Sequence, residues 1–187
     1  MIIKTELDSQ LDTYFDSLQG LINDRDLPFT WFVEPDHVAV KVPDAADYEL
    51  ILLQLEPMSN DIYATPRGER LLGAARLLGS VALGMSWLQG SKPINWIEIM
   101  EPRPEEAPKD QSSIDHVEFY YSNLTKIQDF LGVDIYPFPK ANENHSWVEL
   151  PINLDGQRVM FSDRRLSSII GEQTADGRAV NIYSRRR

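Results

Sequence analysis

The 187 residues carry 18 basic against 29 acidic side chains, a formal charge of −11, with 42% hydrophobic and 25% charged residues. That balance fits one globular domain. Its acidity excludes charge-driven binding to nucleic acid or an anionic membrane, because the phosphate contribution needs a basic face. The chain has no cysteine, which excludes disulfides, thiolate-bound zinc, iron–sulfur clusters and a thiol nucleophile. A metal site would have to be built from His, Asp or Glu.

No apolar run reaches the length of about 18 residues that a transmembrane helix needs. The start, Met-Ile-Ile-Lys-Thr-Glu-Leu-Asp, lacks the basic and apolar regions of a signal peptide. A cytoplasmic protein is therefore expected. Residues 5–25 place Leu7, Leu11, Tyr14, Phe15, Leu18, Leu21 and Ile22 at three- and four-residue steps, predicting an amphipathic helix that Pro28 ends. Asp36-His-Val-Ala-Val-Lys-Val42 alternates as a strand. Pro43-Asp44 then opens a helical stretch that Pro57 stops. From Met58 to Met100 the chain reads as strands broken by glycines, with Gln89 to Pro93 as the clearest turn. Residues 69–83 fit a helix as well as a strand. Ile94 to Met100 is a strand.

Glu101 to Asp110, rich in proline and charge, reads as an extended linker. Ile114-Asp-His-Val-Glu-Phe-Tyr-Tyr121 is the next strand. Ser122 is predicted to cap a helix carrying Leu124, Ile127, Phe130 and Leu131, which Gly132 ends. Strands at 146–152 and 157–161 flank an Asp155-Gly156 hairpin signal. A short helix from Ser162 to Gly171 and an edge strand at Val180 to Tyr183 complete the chain.

The chain repeats itself. Asp36-His-Val and Asp115-His-Val both open a strand that leads into a helix and then further strands, at an offset of 116 − 37 = 79 residues. That period suggests two βαβββ modules rather than a solenoid. Alternation along the strands sets His37 opposite Val38, Val40 and Val42, and sets His116 and Glu118 opposite Val117 and Phe119. Trp96, Glu98 and Met100 share one face of their strand. His37, His116 and Glu98 thus offer two imidazoles and a carboxylate away from the helices, a ligand set that leaves positions open on a divalent metal. Glu101 rivals Glu98 but has the wrong parity. His145, in the polar run Asn142 to His145, reads as a solvated loop residue.

These features resemble the vicinal oxygen chelate (glyoxalase/bleomycin-resistance) superfamily, and within it the YecM-like metal-binding proteins with an added N-terminal helix. The likeness rests on Asp36-His-Val-Ala-Val-Lys, on Trp96 to Pro104, on Asp115-His-Val-Glu-Phe and on Leu154-Asp-Gly-Gln-Arg-Val-Met-Phe161. It implies an α+β fold of two βαβββ modules forming a curved mixed sheet around a cleft. The expected boundaries are 1–30 for the helical extension, 31–104 and 114–187 for the modules and 105–113 for the linker, within one structural domain.

The resemblance further implies a divalent cation (zinc, nickel, manganese or iron) held by His37, Glu98 and His116, and a small-molecule ligand chelated through adjacent oxygens. The cleft would be completed within a monomer or across a homodimer. The family's fourth ligand, a carboxylate or His on the last strand of module two, is missing, since Val159-Met-Phe-Ser162 offers only Met160 or Ser162 there. Glu149 or Glu118 is the candidate replacement and general base. Trp96, Tyr120, Trp147 and Met160 are the expected pocket walls. The reaction classes this leaves are isomerisation, lyase chemistry or oxygenation. The alternative is a metal-free ligand-sequestering protein.

Overall fold

The apolar stripe of the first helix is long enough to cover most of a sheet. In the computed structural model, which describes residues 2–67, 70–79, 83, 92–102, 111–137, 145–153 and 156–185, that helix is α1 (Ile2–Asp24). Leu7, Leu11, Tyr14, Phe15, Leu18 and Ile22 bury their side chains in the main core. They pack with the inward valines, isoleucines and phenylalanines of the central strands, among them Val38, Ile97, Val117 and Phe161. Burial of this size drives the docking. Two polar side chains of α1 also tie it to the sheet. Gln10 Oε1 accepts from the Ile114 N–H at 3.1 Å. The buried Tyr14 hydroxyl donates to the Arg158 carbonyl at 2.7 Å and accepts from the Val117 N–H at 3.1 Å.

Each module follows the predicted order. The first contains β1 (Pro35–Lys41), α2 (Ala45–Leu55), β2 (Ser59–Arg67), β3 (Arg70–Leu77) and β4 (Trp96–Met100). The second contains β5 (Ser113–Tyr120), α3 (Leu124–Leu131), β6 (Tyr136–Pro137), β7 (Ser146–Pro151) and β8 (Arg158–Ser162). Asp44 caps α2 by accepting from the Asp47 N–H at 2.9 Å. Asn123, not Ser122, stands at the cap of α3 and makes no side-chain cap bond. Gly132 ends α3 at φ 66°, the left-handed conformation that favours glycine. Of the stretch 69–83, which fitted either helix or strand, residues 70–77 form the strand β3. Its alternating Leu72, Ala74 and Arg76 pair with β4 at Met100, Glu98 and Trp96.

Among the described residues nine strands form one mixed sheet in the order β6-β7-β8-β5-β1-β4-β3-β2-β9. The first strand of each module runs parallel to its last, β1 beside β4 and β5 beside β8. The modules join where β1 and β5 pair antiparallel. This is a pseudo-twofold α+β sheet with the helices α1, α2 and α3 on one face. Residues 103–110 of the predicted linker, most of the Gln89 turn, and Asp155 of the hairpin lie outside the described residues, and Ser113, expected to close the linker, already opens β5.

The C-terminal part breaks the symmetry. α4 (Leu166–Ala175) starts later than predicted and lies on the face opposite the other helices. There Leu166 and Ile170 pack on Ala74, with Tyr63 and Trp96 alongside. β9 (Val180–Ser184) then pairs with β2, so this strand closes the far edge of the first module rather than extending the second. Among the described residues no helix is long and apolar enough to cross a membrane.

Replacing Tyr14 by Phe removes one hydroxyl and leaves the buried Val117 N–H and the part-buried Arg158 carbonyl without that partner. A loss of about 1–3 kcal/mol follows from the desolvation of unpaired polar groups. Urea unfolding followed by tryptophan fluorescence should show the lower midpoint with an unchanged slope.

Candidate metal centre

Strand pairing lines the open face of the sheet in two rows. One runs Ala74, Glu98, Ala39, His116 and Arg158 across β3, β4, β1, β5 and β8. The other runs His37, Glu118, Met160 and Glu149 across β1, β5, β8 and β7. The small Ala39 separates Glu98 from His116 and leaves space above it. Donor atoms of His37, His116 and Glu118 all lie within 4.8 Å of one another, and all three residues are buried. The two imidazole rings are 5.8 Å apart between centroids at 73°. Glu98 Oε2 is 4.0 Å from His37 Nε2. Glu101, its rival, instead accepts from the Leu71 N–H at 2.5 Å.

Each histidine is oriented by the aspartate that precedes it. The pairing of β1 with β5 shifts register between Pro35 and His37, and again between Ala39 and Val40, where the partner steps from His116 to Ile114. Asp36 and Asp115 are the extra residues at these two irregularities. A bulge re-aims a side chain that strict alternation would send to the other face. Asp36 Oδ2 lies 3.1 Å from His37 Nδ1, and Asp115 Oδ2 lies 2.8 Å from His116 Nδ1. A carboxylate that accepts from Nδ1–H leaves the Nε2 lone pair to face a metal. The repeated Asp-His pair carried this signal in the sequence, but alternation alone assigns the aspartates to the opposite face.

Charges around the cluster are coupled. Burial opposes a proton on His37, yet Glu118, Asp36 and Glu98 outweigh it and raise the imidazole to about 9. Burial and the carboxylates of Asp36 and Glu98 push Glu118 up to about 7, against the pull of His37 and Ser162. His116 moves down, through burial first and repulsion from His37, with Asp115 and Glu98 opposing. Burial disfavours charge on Asp115, but His116 and Arg158 hold it well below the usual carboxylate range.

The cluster sits at the base of a cleft of ≈ 200 Å³. Trp147 and Met160 line this cleft, together with Leu72, Met100, Leu166 and Ile169. Trp96 shares the cleft face of the sheet but is taken up in packing with Tyr63 and α4. Tyr120 carries the Arg165 guanidinium 4.2 Å above its ring instead of facing the cleft. Glu149 lines the cleft with Arg158 Nη1 at 2.9 Å. Arg158 also bonds Asp115 through Nη2. His145, expected to be solvated, is half-buried. It borders the cleft, with its ring 6.1 Å from that of Trp147. Leu166 and Ile169 join the lining without a signal in the sequence, because helical periodicity does not say which sheet face a terminal helix covers.

No protein-family model matches the chain, and no curated protein does so either. A solved structure described as "Structural Genomics, Protein EC4020" superposes with a TM-score of 0.67 at 12% identity, covering 90% of this chain and 92% of that one. The likeness is one of fold. Methylmalonyl-CoA epimerases superpose less well. A Streptomyces coelicolor variant enzyme in complex with 2-nitronate-propionyl-CoA has a TM-score of 0.46 at 13% identity, over 70% of this chain and 96% of that one. The Mycobacterium tuberculosis enzyme also has 0.46, at 16% identity over 78% and 98%.

The two raised groups of the cluster shape how stability responds to pH around neutrality in a chelator such as EDTA. The contribution from His37 is complete below its ordinary 6.5 and is lost as pH rises through about 9. That from Glu118 is complete below 4.5 and is lost through about 7. His116 and Asp115 act in the opposite sense, but their contributions are lost only as pH falls below their ordinary values. Thermal unfolding should therefore show stability decreasing from pH 6.5 to 9, with a slope of at most about 1.4 kcal/mol per pH unit for each proton involved. His37→Gln should flatten that decline.

Proposed function

We propose that the cleft binds a divalent cation through His37, His116, Glu118 and Glu98, and that the protein chelates a small oxygen-bearing metabolite there. The observation that carries this reading is the convergence of two aspartate-oriented imidazoles and a buried carboxylate within 4.8 Å. Ligand atoms around a bound first-row metal stand roughly 3–4 Å apart, so a modest contraction of the cluster suffices. Two imidazoles with two carboxylates suit zinc, nickel, manganese or iron. The donors also have a reason to accept a cation, because three carboxylates crowd His37 and raise its affinity for positive charge.

Glu118 would fill the role of the carboxylate that the resemblance leads one to expect on β8. It pairs directly with Met160 across the β5–β8 ladder, one strand away from the expected position. Buried beside both imidazoles, its carboxyl would also be the proton-carrying group nearest the cation. Glu149, the other candidate base, is engaged by Arg158 and would instead orient that guanidinium at the cleft wall. When bound, the cation would supply Lewis-acid stabilisation of negative charge on a ligand oxygen. Trp147, Met160 and the apolar side chains from β3, β4 and α4 would keep water from that charge. The reaction class this suits is proton transfer next to a chelated oxygen, as in an isomerase or lyase.

Elemental analysis of protein purified without added metal should find about one equivalent of a divalent ion in the parent. His37→Ala and His116→Ala should lose it. Glu118→Gln and Glu98→Gln should bind roughly tenfold more weakly or worse in calorimetric titrations with zinc, nickel, manganese and ferrous ions. A parent that carries no metal and titrates none of these ions would point to a metal-free ligand-holding protein.

A further inference from the structure

The two Asp-His pairs are alike in geometry but are held by different parts of the fold. Asp115 is anchored within the sheet, by Arg158 on the adjacent strand and by Lys41 Nζ at 3.4 Å from its Oδ1. The register that aligns Val117 with Val159 and Val38 with Ile97 puts Trp96 where the second module has Arg158. The first module therefore supplies no cation to Asp36 from that strand. Its anchors come from the C-terminal segment. The Leu166 N–H donates to Asp36 Oδ2 at 2.7 Å, and Arg165 Nη1 lies 3.9 Å from Oδ1. The oxygen that takes the α4 amide is the same one that takes His37 Nδ1.

Arg165 is itself fastened. Its Nη2 bonds Glu34, and its guanidinium rests on Tyr120. Two residues of α4, Leu166 and Ile169, also line the cleft. One helix thus touches both the orienting carboxylate and the ligand space.

We infer that Asp36 is a positioning residue through which α4 governs the metal cluster: seating of the α4 start on Asp36 fixes the His37 ring, and a metal held by that ring in turn holds α4 down. The inference rests on the metal reading above and adds a coupling to it. By linkage, the factor by which the seated helix tightens metal binding is the factor by which metal tightens the seat. The anchors of Asp115 lie on β1 and β8, inside the sheet, so the coupling to a separate helix belongs to the first module alone.

The test uses the full-length protein with Zn²⁺ or Mn²⁺ alone as the probe. Calorimetry should show Asp36→Asn binding metal about 10- to 100-fold more weakly than the parent. Arg165→Ala, a change at a half-exposed side chain that touches no proposed ligand, should weaken binding about two- to fivefold. Hydrogen exchange supplies a readout that a merely structural role would not move. Metal should slow exchange in the first turn of α4 in the parent and leave that turn unchanged in Asp36→Asn. A parent that binds metal, with both variants within twofold of it and α4 exchange indifferent to metal, overturns the coupling and leaves the metal site standing. Should Asp36→Asn fail to fold, Arg165→Ala and the parent's exchange decide the question. Failure of the parent itself to bind metal removes both readings.

Discussion

The cleft depends on a contact between neighbouring residues: an aspartate bonded to the imidazole that follows it, made twice on adjacent central strands. Side chains of consecutive strand residues ordinarily point to opposite faces. Here the β1–β5 ladder is irregular at both aspartates, and each carboxylate reaches the Nδ1 of the next ring. Without that irregularity the imidazoles would have no fixed tautomer, and their Nε2 atoms would have no fixed aim. The antiparallel pairing of β1 with β5 then brings the two units together across the pseudo-twofold axis. A repeated local motif becomes one cluster because the two first strands are neighbours in the sheet.

Burying so many acids together is costly unless each has a partner. The protein meets this cost by distributing cations and amides around the ring of carboxylates. Arg158 and Lys41 serve Asp115, and α4 with Arg165 serves Asp36. Glu118 and Glu98 are the two left facing the imidazoles; burial first, and then repulsion from Asp36 and Glu98, raises the proton affinity of Glu118, while these carboxylates together raise that of His37 against its burial. A divalent cation at the proposed site would relieve the same repulsion as a proton and would compete with it.

The departures from internal symmetry concentrate on one side. α4 and β9 have no counterpart in the first module, yet both pack on it: the helix over the cleft face and the strand along the β2 edge. Trp96, expected as a cleft wall, is displaced into the interface that seats this helix. The cleft is consequently walled by apolar α4 side chains on one side and by the aromatic and charged residues of β7 on the other.

Much of this was written in residue order. The alternation of Val38, Val40 and Val42 against His37 follows from the period of a pleated strand. The 79-residue offset between the two Asp-His-Val copies announced a duplicated module, and the absence of cysteine restricted any metal to oxygen and imidazole ligands. Those are local properties, set by backbone geometry and composition. The roles of Asp36 and Asp115 were not legible, because a bulge depends on how two distant strands align. Nor was the place of His145 at the cleft, the engagement of Glu149 by Arg158, or the face that α4 covers. Each of these requires contacts between residues that local periodicity does not relate, and only the packed sheet decides which of them meet.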